Sequence, residues 1–220
     1  GVVHINIEAE GELEIISAIA KKRRVTAQVA VRVNPNVDAR THAKITTGRK
    51  ENKFGIDIDA VPALFRRARK LPYIEMNGVA VHIGSQLTSL APFKRAYQRL
   101  AKLVLALRRQ GETISRVDLG GGIGISYRGE TPPDLHLYAL MVRDVFDGMD
   151  VHLCLEPGRS IVGNAGVLLS RVVQLKSGTA KHFAIIDAGM NDLLRPALYD
   201  AYHGLTPVVK KTGRAKNYDI

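Results

Sequence analysis

The chain has no tryptophan and a single cysteine in 220 residues, Cys154, so an internal disulfide is excluded and a small buried hydrophobe in a reducing compartment is expected. No apolar run approaches the roughly 20 residues needed to span a bilayer, so no membrane association is expected. The N-terminal stretch GVVHINIEAEGELEII has neither a basic leader nor a small-residue cleavage site, and a cytoplasmic location is predicted. Aromatics are scarce, at 5 Phe and 7 Tyr, and the basic residues are not interleaved with them. That counts against a stacking platform for nucleic acid despite a net charge of +11. The positive charge comes instead in short clusters, Lys21 to Arg24, Arg66 to Lys70, Arg108 with Arg109, and Lys210 to Lys216, which read as solvated helix faces. An anionic small molecule could still profit from that field.

Hydrophobic content of 45% suffices for a real core. The order of elements is regular. Val2 to Ile7 reads as a strand, followed by helical spacing of Leu13, Ile16 and Ile19; Ala27 to Val33 is a β-branched run that stops at Asn34-Pro35-Asn36. A long polar stretch runs to Gly55, and Asp59 is placed to cap a helix carrying Val61, Leu64, Phe65 and Ala68. Met76 to Ile83, Arg116 to Leu119 and Val151 to Leu155 are three further apolar strands. Between them, helices are predicted with inward faces Phe93, Tyr97, Leu100, Leu103, Val104, Leu107 and then Leu137, Leu140, Met141, Val145, Phe146. Five strand-then-helix or strand-then-loop units in succession predict a parallel α/β architecture over residues 1–162. From 163 to 220 the pattern changes to the start of an antiparallel β domain, with strands near Val167 to Leu175 and Lys181 to Asp187 and a helix over 195–203.

Three of the strand mouths carry chemistry-bearing residues: His82 with Gly84, Ser85 and Gln86; Gly120, Gly121 and Gly122; and Glu156, Pro157, Gly158 and Arg159. In a parallel barrel the C-terminal strand ends meet on one face, so these would surround one pocket. Glycine-rich βα turns expose backbone N–H groups, a serine adds a hydroxyl and an arginine adds charge, which together describe a phosphate cradle. Glu156 could pair with a protonated ring nitrogen, or simply form an ion pair with Arg159. Arg195 and Tyr199, four apart on a helix, would put a guanidinium and a phenol on one side, suited to gripping a carboxylate; an exposed arginine beside a half-buried tyrosine would read the same.

The segments HIGSQ (82–86), VDLGGGIGISY (117–127), EPGRSIV (156–162) and DAGMNDLLRPALYDAYH (187–203), in this order, closely resemble the diaminopimelate decarboxylases. The segment NKFGID (52–57) extends the resemblance, and RPALYDAYH favours this branch over the arginine or ornithine decarboxylases. The resemblance implies an alanine-racemase-like fold, a (β/α)8 TIM barrel followed by a β domain, of which this chain would hold part. It implies pyridoxal 5'-phosphate as cofactor, no metal, an amino-acid substrate and a homodimer. His82 would stack on the pyridine ring, and Ser85 with Gly120 to Gly122 would take the phosphate. Glu156 would pair with the ring nitrogen, with Pro157, Gly158 and Arg159 beside phosphate and substrate, and Arg195 and Tyr199 would hold the far end of diaminopimelate. The implied reaction is decarboxylation of meso-diaminopimelate to L-lysine. The family's cofactor lysine and its cysteine-glutamate-serine segment match nothing here, Lys44 and Lys53 being loop residues, so these 220 residues alone are expected to be inactive. Alternatives of the same fold are decarboxylation of arginine, ornithine or carboxynorspermidine; a non-catalytic carrier of the cofactor is a further one.

Overall fold

The computed structural model describes residues 2–37, 54–209 and 216–220. Lys44, Lys53, Asn52 and most of the basic cluster beginning at Lys210 lie outside them. The chain divides into two compact units, residues 1–125 with 131–163, and residues 126–130 with 164–220.

The first unit is built from β1 (Ile5–Ile7), α1 (Glu12–Arg23), β2 (Ala27–Asn34), β3 (Ile56–Asp57), α2 (Val61–Ala68), β4 (Ile74–Ala80), α3 (Ala91–Arg109), β5 (Arg116–Asp118), α4 (Leu135–Phe146), β6 (His152–Cys154) and the single turn α5 (Arg159–Val162). Its strands lie side by side in the order β1-β2-β4-β5-β6, every pair parallel. This is the predicted α/β arrangement of strands separated by helices. The short β3 was not predicted; it pairs with the end of β2 through Val33 and Ile56, within a stretch that reads as loop because only two residues join the ladder.

The core lies between the sheet and the helices. Val29, Val31, Val79 and Val117 are fully buried on the strands, and α3 buries Phe93, Tyr97, Leu100, Val104 and Leu107 as its 3.6-residue spacing predicts. Two predicted faces are corrected. In α1 the inward row is Leu13, Ile16, Ser17 and Ala20 while Ile19 is exposed, because Ser17 Oγ donates to the Pro72 carbonyl (2.7 Å) and can be buried at no hydrogen-bonding loss. In α4 the inward row is Tyr138, Met141, Val142 and Phe146, with Leu137 exposed. Tyr138 qualifies because its hydroxyl pairs with that of Tyr97 (2.8 Å), which in turn donates to the Leu119 carbonyl (3.1 Å).

Helix ends are set locally. Asp134 caps α4, its carboxylate accepting from the amides of His136 and Leu137. Asp59 does not cap α2: the helix begins one residue after Ala60, and the Asp59 amide donates to Asp57 Oδ1 in an Asx turn. One of the basic clusters, Arg66 to Lys70, is partly neutralised, with Arg67 on Glu10 and Glu14 and Arg69 on Glu112. Strand β6, predicted as buried, is only partly covered because it has one strand neighbour and not two. None of the described helices is long and apolar enough to cross a membrane.

The second unit holds β7 (Val172–Ser177) and β8 (His182–Ile186), paired antiparallel as predicted, and the short helix α6 (Arg195–Tyr199). Asp219 adds a parallel bridge to β8 and its carboxylate meets Lys181 Nζ at 2.7 Å.

Candidate active site

The ladder register decides the site. Arg32, Ala80, Asp118 and Cys154 are consecutive partners across β2, β4, β5 and β6. Two residues beyond the last three stand His82, Gly120 and Glu156. The pairing continues past the strands, with Val81 N–H donating to Asp118 O, Leu119 N–H to Cys154 O and Glu156 N–H to Gly120 O, each at 2.9 Å. Three strand mouths separated by up to 74 residues are therefore held abreast, and their alternating side chains share a face.

The glycines are required by close backbone approach. A Cβ on Gly120 would lie 2.2 Å from the Val81 carbonyl oxygen, on Gly121 2.2 Å from that of Glu156, and on Gly122 2.1 Å from that of Gly84. Two of the three amides are already engaged: Gly120 N–H donates to Asp118 Oδ1 (2.9 Å) and Gly121 N–H to His82 Nδ1 (3.3 Å). Because His82 Nδ1 accepts, the ring proton of its neutral form sits on Nε2. Burial, and then the Arg32 guanidinium, hold the His82 pKa below its ordinary value, favouring that neutral form.

Arg159, the first residue of α5, donates from Nη1 to Gln86 Oε1 (3.0 Å) and from Nη2 to Ser85 Oγ (3.3 Å). Gln86 is itself anchored, its Nε2 donating to the Ile125 carbonyl and its Oε1 accepting from the Ile125 amide. An arginine, a serine hydroxyl and a glycine turn thus meet at the mouths of β4, β5 and β6. Glu156 is exposed, and its pKa is raised by partial burial and by the Asp118 carboxylate to which it hydrogen-bonds. Asp118 is buried and also accepts from Asn6 Nδ2 (3.2 Å). Pro157 and Gly158 shape the turn between Glu156 and α5, where Ile161 N–H and Val162 N–H donate back to Gly158 O.

Arg32, Glu8 and Asp118 were not singled out from the sequence, and Gln86 was marked only as part of the His82 mouth. Arg32 pairs with Glu8 (2.5 Å), lies 5.1 Å from the centre of the Phe54 ring, and reaches the His82 carbonyl. A charged side chain inside an apolar parallel strand, as in AQVAVRVN and RVD, is the signal that marks two of them. Arg195 and Tyr199 are both half-buried on α6 of the second unit. An open apolar groove beside α4 and β6, lined by Tyr138, Val142, Phe146, Leu153 and Leu155 among others, contains none of the predicted site residues.

These residues fit pyridoxal phosphate. The glycine turn lets the backbone of the three mouths close up side by side, Arg159 and Ser85 present donors for a phosphate, and the same row of strand ends carries a neutral imidazole and a carboxyl whose raised proton affinity suits a ring nitrogen.

The opposed shifts have a checkable sign. As pH falls from 7.5 to 5.5 the unfolded chain protonates His82 near its ordinary value while the folded chain resists, so stability is lost on the acid side. Glu156 acts oppositely, taking up a proton in the folded state before the unfolded one. His82→Gln is therefore expected to lose less stability than the parent over this interval, measured by urea unfolding of the cofactor-free protein at both pH values. Equal losses would show that His82 does not titrate differently on folding.

The family described as pyridoxal-dependent decarboxylase, pyridoxal binding domain, matches residues 1–163. The chain is 50% identical over 220 residues to the diaminopimelate decarboxylase of Pseudomonas aeruginosa, covering 100% of this chain and 53% of that protein. It is 45% identical over 216 residues to the enzyme of that name from Vibrio cholerae, covering 98% and 52%. The crystal structure of diaminopimelate decarboxylase from Helicobacter pylori complexed with L-lysine superimposes with a TM-score of 0.88 at 42% identity, over 92% of this chain and 51% of that one. The parallel strands and their helices are thus an arc of the barrel in such enzymes, and the chain spans about half the length of the relatives it matches. With 163 matched residues carrying the glycine turn, His82, Glu156 and Arg159, this chain belongs to the pyridoxal-dependent decarboxylases.

Proposed function

We propose that the protein carrying this chain is a pyridoxal-phosphate-dependent decarboxylase that converts meso-diaminopimelate to L-lysine and carbon dioxide. The observation that carries the proposal is the 50% identity to a diaminopimelate decarboxylase over 220 residues, the whole of this chain. Bound pyridoxal phosphate supplies an electron sink for the pair released when the carbon–carbon bond to the carboxylate breaks. Arg159, Ser85 and the turn at Gly120 to Gly122 would hold the phosphate, while the Gly121 amide fixes His82. His82, held neutral by burial and Arg32, would lie against the cofactor ring and keep water from it. Glu156 would accept a hydrogen bond from the protonated ring nitrogen and so keep the positive charge there, with Asp118 and Arg32 setting the charge balance of the carboxylate. Pro157 and Gly158 would keep the turn after Glu156 tight where the cofactor is held. Arg195 and Tyr199 grip the carboxylate of the substrate's remote amino-acid end, which survives in the product.

A homodimer acting in the cytoplasm is part of the proposal, supported by the resemblance of the whole chain to enzymes whose sites are shared between subunits and by its single, unbridged cysteine. The test is carbon dioxide release by the full-length protein loaded with pyridoxal phosphate, offered meso-diaminopimelate, arginine and ornithine separately. Release from meso-diaminopimelate with matching L-lysine is the expected result. Faster release from either competitor would overturn the substrate, and none from any of them would overturn the activity.

A further inference from the structure

The chain's second unit contains an arginine that is held in an unusual way. Arg195 opens α6, and among the described residues no carboxylate neutralises it. Its guanidinium carbon lies 4.9 Å from the centre of the Tyr127 ring, and its Nη1 is 3.0 Å from His203 Nε2. Tyr127 and His203 meet edge to face, their ring centres 5.6 Å apart at 79°. One face of the guanidinium and one of its nitrogens are therefore occupied by two rings that also brace each other.

The donor rules settle the state of His203. Arginine has five N–H donors and no acceptor, so Nε2 must offer a lone pair and the proton of the neutral ring sits on Nδ1. Because Nη1 is turned to His203, the side-on edge formed by Nε and Nη2 is left to face a ligand, and that edge matches the spacing of a carboxylate's two oxygens.

Tyr127 is fixed in turn by its own backbone. Glu130 Oε2 accepts from the amides of Tyr127 (2.8 Å) and Arg128 (2.6 Å), and Ser126 Oγ accepts from the Gly129 amide (3.2 Å). Arg128 stacks on Tyr202 at 4.3 Å, the reverse of the Arg195 stack on Tyr127. Two reciprocal arginine–tyrosine stacks thus zip the 126–130 turn to α6 and the segment after it, although some 70 residues separate them in sequence.

We propose that His203 and Tyr127 are positioning residues that pre-set the Arg195 guanidinium as a side-on fork for the remote carboxylate of the substrate, and so confer preference for an amino acid over a diamine. The proposal rests on the diaminopimelate reading above and adds the residues that make Arg195 selective. An arginine already held in one rotamer gives up little side-chain freedom on binding, so its grip is stronger than that of a mobile one.

The probes are L-lysine and 1,5-diaminopentane, which differ by that carboxylate, bound to the full-length, cofactor-loaded protein and followed by calorimetry. The parent is expected to prefer L-lysine. His203→Phe keeps a ring against Tyr127 but offers no acceptor, and is expected to weaken L-lysine binding about tenfold while leaving the diamine unchanged. KM for meso-diaminopimelate should rise by about the same factor with kcat within about twofold. His203→Gln, whose amide oxygen can accept from Nη1, should restore most of the affinity. Tyr127→Leu should behave like His203→Phe, and Tyr127→Phe like the parent. L-Lysine affinity within about twofold of the parent in both His203→Phe and Tyr127→Leu would overturn the proposal, as would equal weakening of both probes. A parent that neither prefers L-lysine nor releases carbon dioxide from meso-diaminopimelate would overturn the underlying function, and this inference with it.

Discussion

Replacing Gly122 by alanine is expected to destabilise the protein by roughly 2–4 kcal/mol and to abolish retention of pyridoxal phosphate. Two costs add at this position. The backbone sits at φ +106, a conformation that side chains disfavour, and the new Cβ would lie 2.1 Å from the Gly84 carbonyl oxygen. That oxygen belongs to backbone that is itself tied down, since Leu87 N–H donates to Gly122 O and Gly124 N–H to Leu87 O, both at 2.9 Å. The turn therefore cannot yield without dragging the Ser85 and Gln86 segment that holds Arg159. Gly148→Ala separates the two costs, because Gly148 is also at positive φ (+68) but has nothing within 4 Å of an added Cβ. Its loss should be only about 1 kcal/mol, with the cofactor retained. Urea midpoints and the absorbance of protein-bound cofactor after dialysis measure both effects. Equal destabilisation by the two substitutions would mean that the contact at Gly84 carries no cost.

Glu156→Gln is expected to move activity and stability in opposite directions. An amide carries no negative charge with which to keep the ring nitrogen protonated, so kcat for decarboxylation should fall about 10²–10³-fold, the scale of removing one preorganised electrostatic partner. In the cofactor-free protein the same change removes a carboxylate whose pKa is raised by partial burial and by Asp118. A raised folded-state pKa means that the ionised form is disfavoured by folding, so near neutral pH the neutral amide should stabilise the fold. Solvent reaches Glu156, which limits the gain to roughly 0–1 kcal/mol. The comparison is of steady-state kcat in the loaded enzyme against the urea midpoint of the cofactor-free one. A fall in both would mean that Glu156 contributes to folding through contacts other than its charge. Strain stored beside a cofactor and relieved by an inactivating substitution is the pattern expected where function opposes stability.

Much of this was legible in the residues. Apolar runs of strand length, each closed by a turn and most followed by a helical period, specify parallel α/β units because a parallel strand is covered on both faces and must read as nearly all apolar. The glycine run at 120–122 and the polar ends at 82 and 156 were visible for the converse reason, as polar or flexible residues where burial would favour neither. What stayed hidden was chemistry inside the strands and between distant turns. Arg32 and Asp118 look like ordinary members of short strands until the register places them beneath His82 and Glu156. Gln86 sits in a predicted mouth, yet its role as the anchor of Arg159 depends on a contact 73 residues away. The faces of α1 and α4 were misassigned where a polar side chain, Ser17 or Tyr138, was buried through a specific hydrogen bond that periodicity does not count.

The sequence by itself determined the alternation of strands and helices, the change of character after residue 162, and the family to which the mouths belong, because each rests on residues close together along the chain. The tertiary structure alone decided which distant groups meet. Strand register put His82, Gly120 and Glu156 in one row, and the packing of the second unit brought the turn at 126–130 against His203 and Arg195. Those pairings arise from hydrogen-bond ladders and ring contacts between segments tens of residues apart, and a local pattern of polar and apolar residues carries no record of which segment will be the partner.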